Sequence, residues 1–176
     1  PLWEQYLLYL KHVAQGEFGT SVAYFPASVE SVILTGMGWT LLLAGMAVVV
    51  SFTLGTLLGA LAAWKRRTWV DGVLPPAFVL LGAFPYFWLA MVALYVFGFV
   101  LGVAPLRHAY DDRLDPAFTL PFIWSVLQHA ALPALSIVAA TVGGWLLSMR
   151  NTMIGVLGED YVTVAQAKGL SRTRVF

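Results

Sequence analysis

The chain has 176 residues, 60% of them hydrophobic and 11% charged, against roughly 45–50% and about 25% in an ordinary soluble domain. Three stretches, 31–64, 72–106 and 116–149, hold no Asp, Glu, Lys or Arg, and each exceeds the roughly 20 residues that cross a bilayer. A soluble globule of this size lacks the polar surface to cover three such segments, while 0 Cys excludes a disulfide scaffold and a net charge of +1 gives no reason to propose nucleic acid.

Residues 1–30 are mixed in character. Trp3, Tyr6, Leu7, Leu8, Leu10 and Val13 form an apolar stripe at helical spacing, with Glu4, Lys11 and His12 off it. This predicts a short surface or interfacial helix, broken at 16–21 by a turn. From 31 to 176 the pattern predicts a transmembrane domain of about three spans. A single helix over any charge-free stretch would exceed the roughly 30 Å hydrocarbon core at 1.5 Å per residue, so each stretch must hold more than a span. Gly36 and Gly38 divide the first, leaving a span at about 40–64. Pro75, Pro76 and Pro85 break the second on its entry side, with the span expected at about 82–102. Pro116 and Pro121 put the start of the third in a loop, and its span is expected at about 126–149 with a kink site at Pro133.

Orientation follows from the short connections. Lys65, Arg66 and Arg67 stand against Asp71 alone, and Arg150, Lys168, Arg172 and Arg174 follow the third span, so 65–71 and 150–176 are expected to be cytoplasmic. The loop 103–125 and the amino-terminal 1–30 then lie outside. An outside start with no signal-peptide pattern is easiest to explain if the sequence is truncated and an earlier span precedes it. The carboxy-terminal end, which stops without a closing feature, gives the same expectation.

Inside the spans, Ser51, Gly55 and Gly59 recur every four residues, and Gly98 and Gly102 repeat the spacing. Small residues on one face let another helix approach, within the chain, at a subunit interface or along a transport path. Reactive groups are scarce. His129 is the only imidazole in a span, read as a neutral hydrogen-bonded histidine; zinc, nucleophile-elbow and P-loop motifs are absent, and no metal site is expected. All 9 acids lie outside the spans, so an energy source is expected elsewhere.

After Arg150 the chain becomes polar and patterned. Gly158 interrupts the helix that leaves the third span, Glu159 and Asp160 supply acids for a new first turn, and Gly169 closes a short helix. GEDYVTVAQAKGLSRTRVF (158–176) resembles the cytoplasmic EAA loop of bacterial ABC importer permeases, with Ala165 at the third motif position and Gly169 at the loop's glycine. Its Glu-Asp-Tyr and Ala-Lys-Gly-Leu are similar to the dipeptide, oligopeptide and nickel branch. GEFGTSV (16–22) and FPYFWLA (84–90) resemble two further segments of that branch, in the same order. Thr163 and Val164 depart from the Glu and Ala that name the loop.

The resemblance implies an all-α, multi-pass helical bundle of the MetI-like permease type in the bacterial inner membrane. It implies a transport subunit rather than an enzyme, moving di- or oligopeptides. Glu159, Asp160 and Tyr161 would start the loop helix, and Ala165 and Gly169 would form the side that docks on a cytoplasmic ATPase subunit. ATP and Mg would be held by that subunit, with no cofactor in this chain. A second related permease subunit, an extracytoplasmic substrate-binding protein and membrane lipid are the other implied partners. Substrate-binding residues are not readable, and nickel or another small solute is the alternative within the family. A membrane scaffold without substrate and an ion channel are the readings outside it.

Overall fold

The computed structural model describes residues 1–175. In chain order the helices are α1 (Leu2–Ala14), α2 (Val29–Trp64), α3 (Trp69–Gly82), α4 (Tyr86–Ala93) continued by a π segment (Leu94–Val100), α5 (Leu120–Leu157), α6 (Asp160–Ala167) and α7 (Arg172–Val175). The chain forms two compact units, Pro1–Leu42 and Leu43–Phe176.

In the first unit, α1 buries none of its residues, and its apolar stripe, including Trp3 and Tyr6, is exposed. The turn that follows is closed by a short antiparallel bridge between Thr20 and Ser28. Its backbone is satisfied by Ser21 N–H to the Ala27 carbonyl and Val29 N–H to the Gly19 carbonyl, each at 2.9 Å. Glu30, in the first turn of α2, accepts the Phe18 N–H on Oε1 at 2.9 Å, so a charged residue at a helix start anchors the GEFGTSV segment.

The second unit is organised around α5. Asp71 at the start of α3 pairs with Arg150. Further on, Gly143 faces the Phe78 carbonyl and Gly82 the Ala140 carbonyl. Leu89, Val92 and Phe97 then line one cavity with Leu132, Ser136 and Ala139, and the Asp111 N–H reaches Ser125 Oγ at 2.8 Å. These positions descend α5 in order, so the chain from Asp71 to Asp111 passes along α5 from Arg150 to Ser125. Those two residues are about 37 Å apart along the helix at 1.5 Å per residue, more than the roughly 30 Å of hydrocarbon core. α3 and α4 are bent by 91° at their break, and taken together they are long and apolar enough for one span. With α2 and α5 that makes up to three segments long and apolar enough to cross a membrane.

Helix limits differ from those expected in three places. α2 runs unbroken through Gly36 and Gly38, since a helical glycine costs only about 1 kcal/mol relative to alanine. α3 contains both Pro75 and Pro76; a proline's fixed φ is itself helical, and two neighbours remove only two backbone bonds. The break falls instead before Pro85, which disfavours helical geometry at Phe84. Pro121 lies in the first turn of α5 rather than in a loop, where its missing N–H would have had no partner. Pro133 sits inside the continuous α5.

Ala47, Val138 and Val142 are buried together, with Phe78, Ala134 and Ile137 packed against them. Large side chains such as Leu57, Phe99 and Trp124 remain exposed, a distribution that suits a lipid solvent and would be costly in water.

Candidate functional site

Three features converge on the Arg150 end of α5. The first is the α2–α5 seam. Ser51 Oγ and Thr141 Oγ1 are 2.8 Å apart. A Cβ on Gly55 would collide with Trp145 Cβ and the Val142 carbonyl, and one on Gly59 with the Leu146 carbonyl, Met149 Cβ and the Arg150 nitrogen. The four-residue repeat thus forms the line along which α2 lies directly on the α5 backbone, and Phe52 closes it edge-on against Trp145 with ring centroids 5.1 Å apart. Gly98 and Gly102 make no such seam. Gly98 faces the side chain of Leu106 in the following loop, and Gly102 lies past the helix at φ +64° with no atom near its Cβ position.

The second is an ion pair joining α3 to α5. Arg150 Nε donates to Asp71 Oδ1 at 2.5 Å, with only 11% of the Asp71 side chain and 23% of that of Arg150 exposed. Asp71 Oδ2 accepts the Arg67 N–H at 3.2 Å, so both carboxylate oxygens are engaged. Arg67 sits at φ +65°, and Thr68 Oγ1 donates to the Lys65 carbonyl at 2.6 Å. The basic link is therefore a tight turn fastened to the start of α3. Both charges flank the charge-free stretches and lie outside them. The hydrogen bond from Arg150 holds the Asp71 carboxyl below its ordinary range, against a partial opposing effect of burial.

The third is the loop beyond α5. Gly158 ends the long helix, and Glu159, extended at φ −73° and ψ 149°, is the N-cap of α6 with Asp160 in the first turn. At the other end Gly169 N–H donates to the Gln166 carbonyl at 2.9 Å and Leu170 N–H to the Ala165 carbonyl at 3.3 Å. With Gly169 at φ +82° this is a Schellman closure, which glycine allows. Tyr161 and Val164 are exposed and Ala165 half-buried, whereas Val162 is buried. Tyr161, Val164 and Ala165 share one face by their i, i+3, i+4 spacing, leaving a small apolar surface uncovered.

Elsewhere on α5, His129 Nδ1 is 2.8 Å from the Ser125 carbonyl, and Ser136 Oγ and Thr141 Oγ1 donate to their own helix's Pro133 and Ile137 carbonyls. Among the described residues there is no group of three or more His, Cys, Asp or Glu able to hold a metal. The sequence reading missed the Asp71–Arg150 pair. Its signal was one acid and one base flanking charge-free stretches on the same side.

These features describe an all-helical membrane chain with up to three segments able to cross a bilayer and a short helix, closed by Gly169, beyond the last. The chain belongs to the family described as "Binding-protein-dependent transport system inner membrane component", which matches residues 55–176, and is thus part of a permease of the ABC importer class in the bacterial inner membrane. It is 30% identical over 176 residues to the oligopeptide transport system permease protein AppB of Bacillus subtilis (99% of this chain, 54% of the relative). It is 32% identical over 178 residues to the oligopeptide transport system permease protein OppB of Haemophilus influenzae (99% and 53%). To the glutathione transport system permease protein GsiC of Salmonella choleraesuis it is 34% identical over 176 residues (99% and 52%). The chain spans about half the length of these curated relatives.

Proposed function

We propose that this chain is part of a transmembrane permease subunit that moves di- or oligopeptides inward, driven by a separate cytoplasmic ATPase that docks on α6. The observation carrying the reading is α6 itself. It is an eight-residue helix closed by Gly169, following a 38-residue membrane helix and exposing Tyr161 and Val164 beside Ala165. Such a face suits insertion into a groove on a soluble partner. The 65–71 link and everything from Arg150 onward are assigned to the cytoplasm by their lysines and arginines. ATP and Mg are assigned to the ATPase, substrate delivery to an extracytoplasmic binding protein, and completion of the pathway to a second, related permease subunit. The peptide class is supported by relatives named for oligopeptide and glutathione transport.

The test is the complete transporter carrying Gly169→Glu or Ala165→Glu. Peptide uptake and copurification of the ATPase are both expected to fall while the protein still inserts. Unchanged uptake and copurification would remove the docking role. Uptake of a panel of dipeptides, longer peptides and Ni²⁺ decides the substrate class.

A further inference from the structure

The Asp71–Arg150 pair has features that a topology signal does not need. A lysine or arginine that only sets orientation can lie free at the headgroups. Here the guanidinium is turned inward onto a carboxylate that is almost fully covered, and the second carboxylate oxygen holds the turn of the basic link. Gly59 brings α2 against the Arg150 backbone at the same level. Three helices therefore meet at Arg150, seven residues before α5 ends and ten before α6 begins.

We infer that Asp71 is a positioning residue for transport: its ion pair with Arg150 makes the link and α3 move as one body with α5 and the coupling helix. This rests on the permease reading above. A displacement of α6 travels up α5 and reaches the first turn of α3 through the carboxylate. A charge pair suits the task because a mostly covered carboxylate that loses its guanidinium gives up its hydrogen bond with little water to replace it, which opposes separation of the two helices at that point.

The experiment compares the complete transporter in proteoliposomes with Asp71→Asn, Arg150→Gln and the exchange Asp71→Arg/Arg150→Asp. Tri-alanine uptake and ATP hydrolysis are read on the same samples, normalised to assembled complex. Each single variant is expected to lower peptide moved per ATP by about tenfold, within the usual range of coupling between sites. The exchange should recover at least about a third of the wild-type ratio by restoring the pair. A role confined to stability would reduce the amount of complex and leave the ratio untouched. The inference is overturned by a wild-type ratio in Asp71→Asn, or by an exchange no better than the single variants, including one that fails to assemble. If the wild-type transporter itself shows no ATP-driven uptake, the permease reading falls instead.

Discussion

Ser51 Oγ donates its single hydrogen to Thr141 Oγ1, 2.8 Å away. The direction follows because the Thr141 hydroxyl hydrogen is committed to the Ile137 carbonyl at 2.8 Å, and a hydroxyl has only one to give. One polar bond thus joins α2 to α5, within a seam otherwise made of small side chains against backbone.

The seam should respond unequally to its two kinds of residue. Ser51→Ala removes one hydrogen bond between helices and is expected to cost about 0.6 kcal/mol, since Thr141 keeps its own helix carbonyl. Gly59→Leu drives a side chain into the Leu146 carbonyl and the Arg150 nitrogen, neither of which can rotate away, and is expected to cost about 3 kcal/mol or more. Thermal melting in detergent compares the two. Equal shifts would contradict the close packing.

Gly143 and Gly144 are neighbours with opposite surroundings. A Cβ at Gly143 would press on the Phe78 carbonyl, while Gly144 has nothing within 4 Å. Gly143→Ala should destabilise by about 1–3 kcal/mol, and Gly144→Ala should be neutral or stabilising by up to about 1 kcal/mol through helix propensity. The same melting assay reads both.

Gly169→Ala tests the cap apart from the docking face. No atom lies near the added methyl, so the cost comes from φ +82° alone and is about 1–2 kcal/mol. Hydrogen exchange at Gly169 and Leu170, whose N–H groups close α6, should quicken about tenfold or more. Gly169→Asn should lie between the two, because asparagine tolerates this region.

The Asp71 carboxyl is held below its ordinary value of 3.8 by Arg150. A depressed folded value contributes stability above the unfolded pKa and loses it as pH falls through the folded one. The melting difference between wild type and Asp71→Asn should therefore be flat from about pH 8 to 5 and shrink only below about pH 4. A difference that closes near neutrality would mean the pair is not formed.

The small-residue line of α2 was legible because positions four apart on an α-helix share a face, and the spacing alone reveals it. What lay against it was not legible, since the spacing carries no information about which helix approaches. Gly98 and Gly102 show how the same rule fails. Leu101 N–H bonds to the Val96 carbonyl five residues back and Val103 N–H to the Phe97 carbonyl six back, so the backbone there is wider than an α-helix and four-residue neighbours no longer stack. The ends of α6 were readable from Glu159, Asp160 and Gly169 because caps are local chemistry. Asp71 and Arg150 are 79 residues apart and were visible only as two charges on one side.

The broken second crossing has a consequence for its surroundings. Gly82, one residue before the break, sits beside Ala140, about 15 Å along α5 from the Arg150 level and so near the middle of the hydrocarbon. The turn at 83–84 pairs the Val79, Leu80 and Leu81 carbonyls, but two helix ends meeting at a break hold more backbone groups than one such turn can pair. Acyl chains cannot pair the remainder. Whatever faces residues 83–85 in the working protein must itself offer hydrogen bonds, so that depth belongs to water or to another polypeptide and not to lipid.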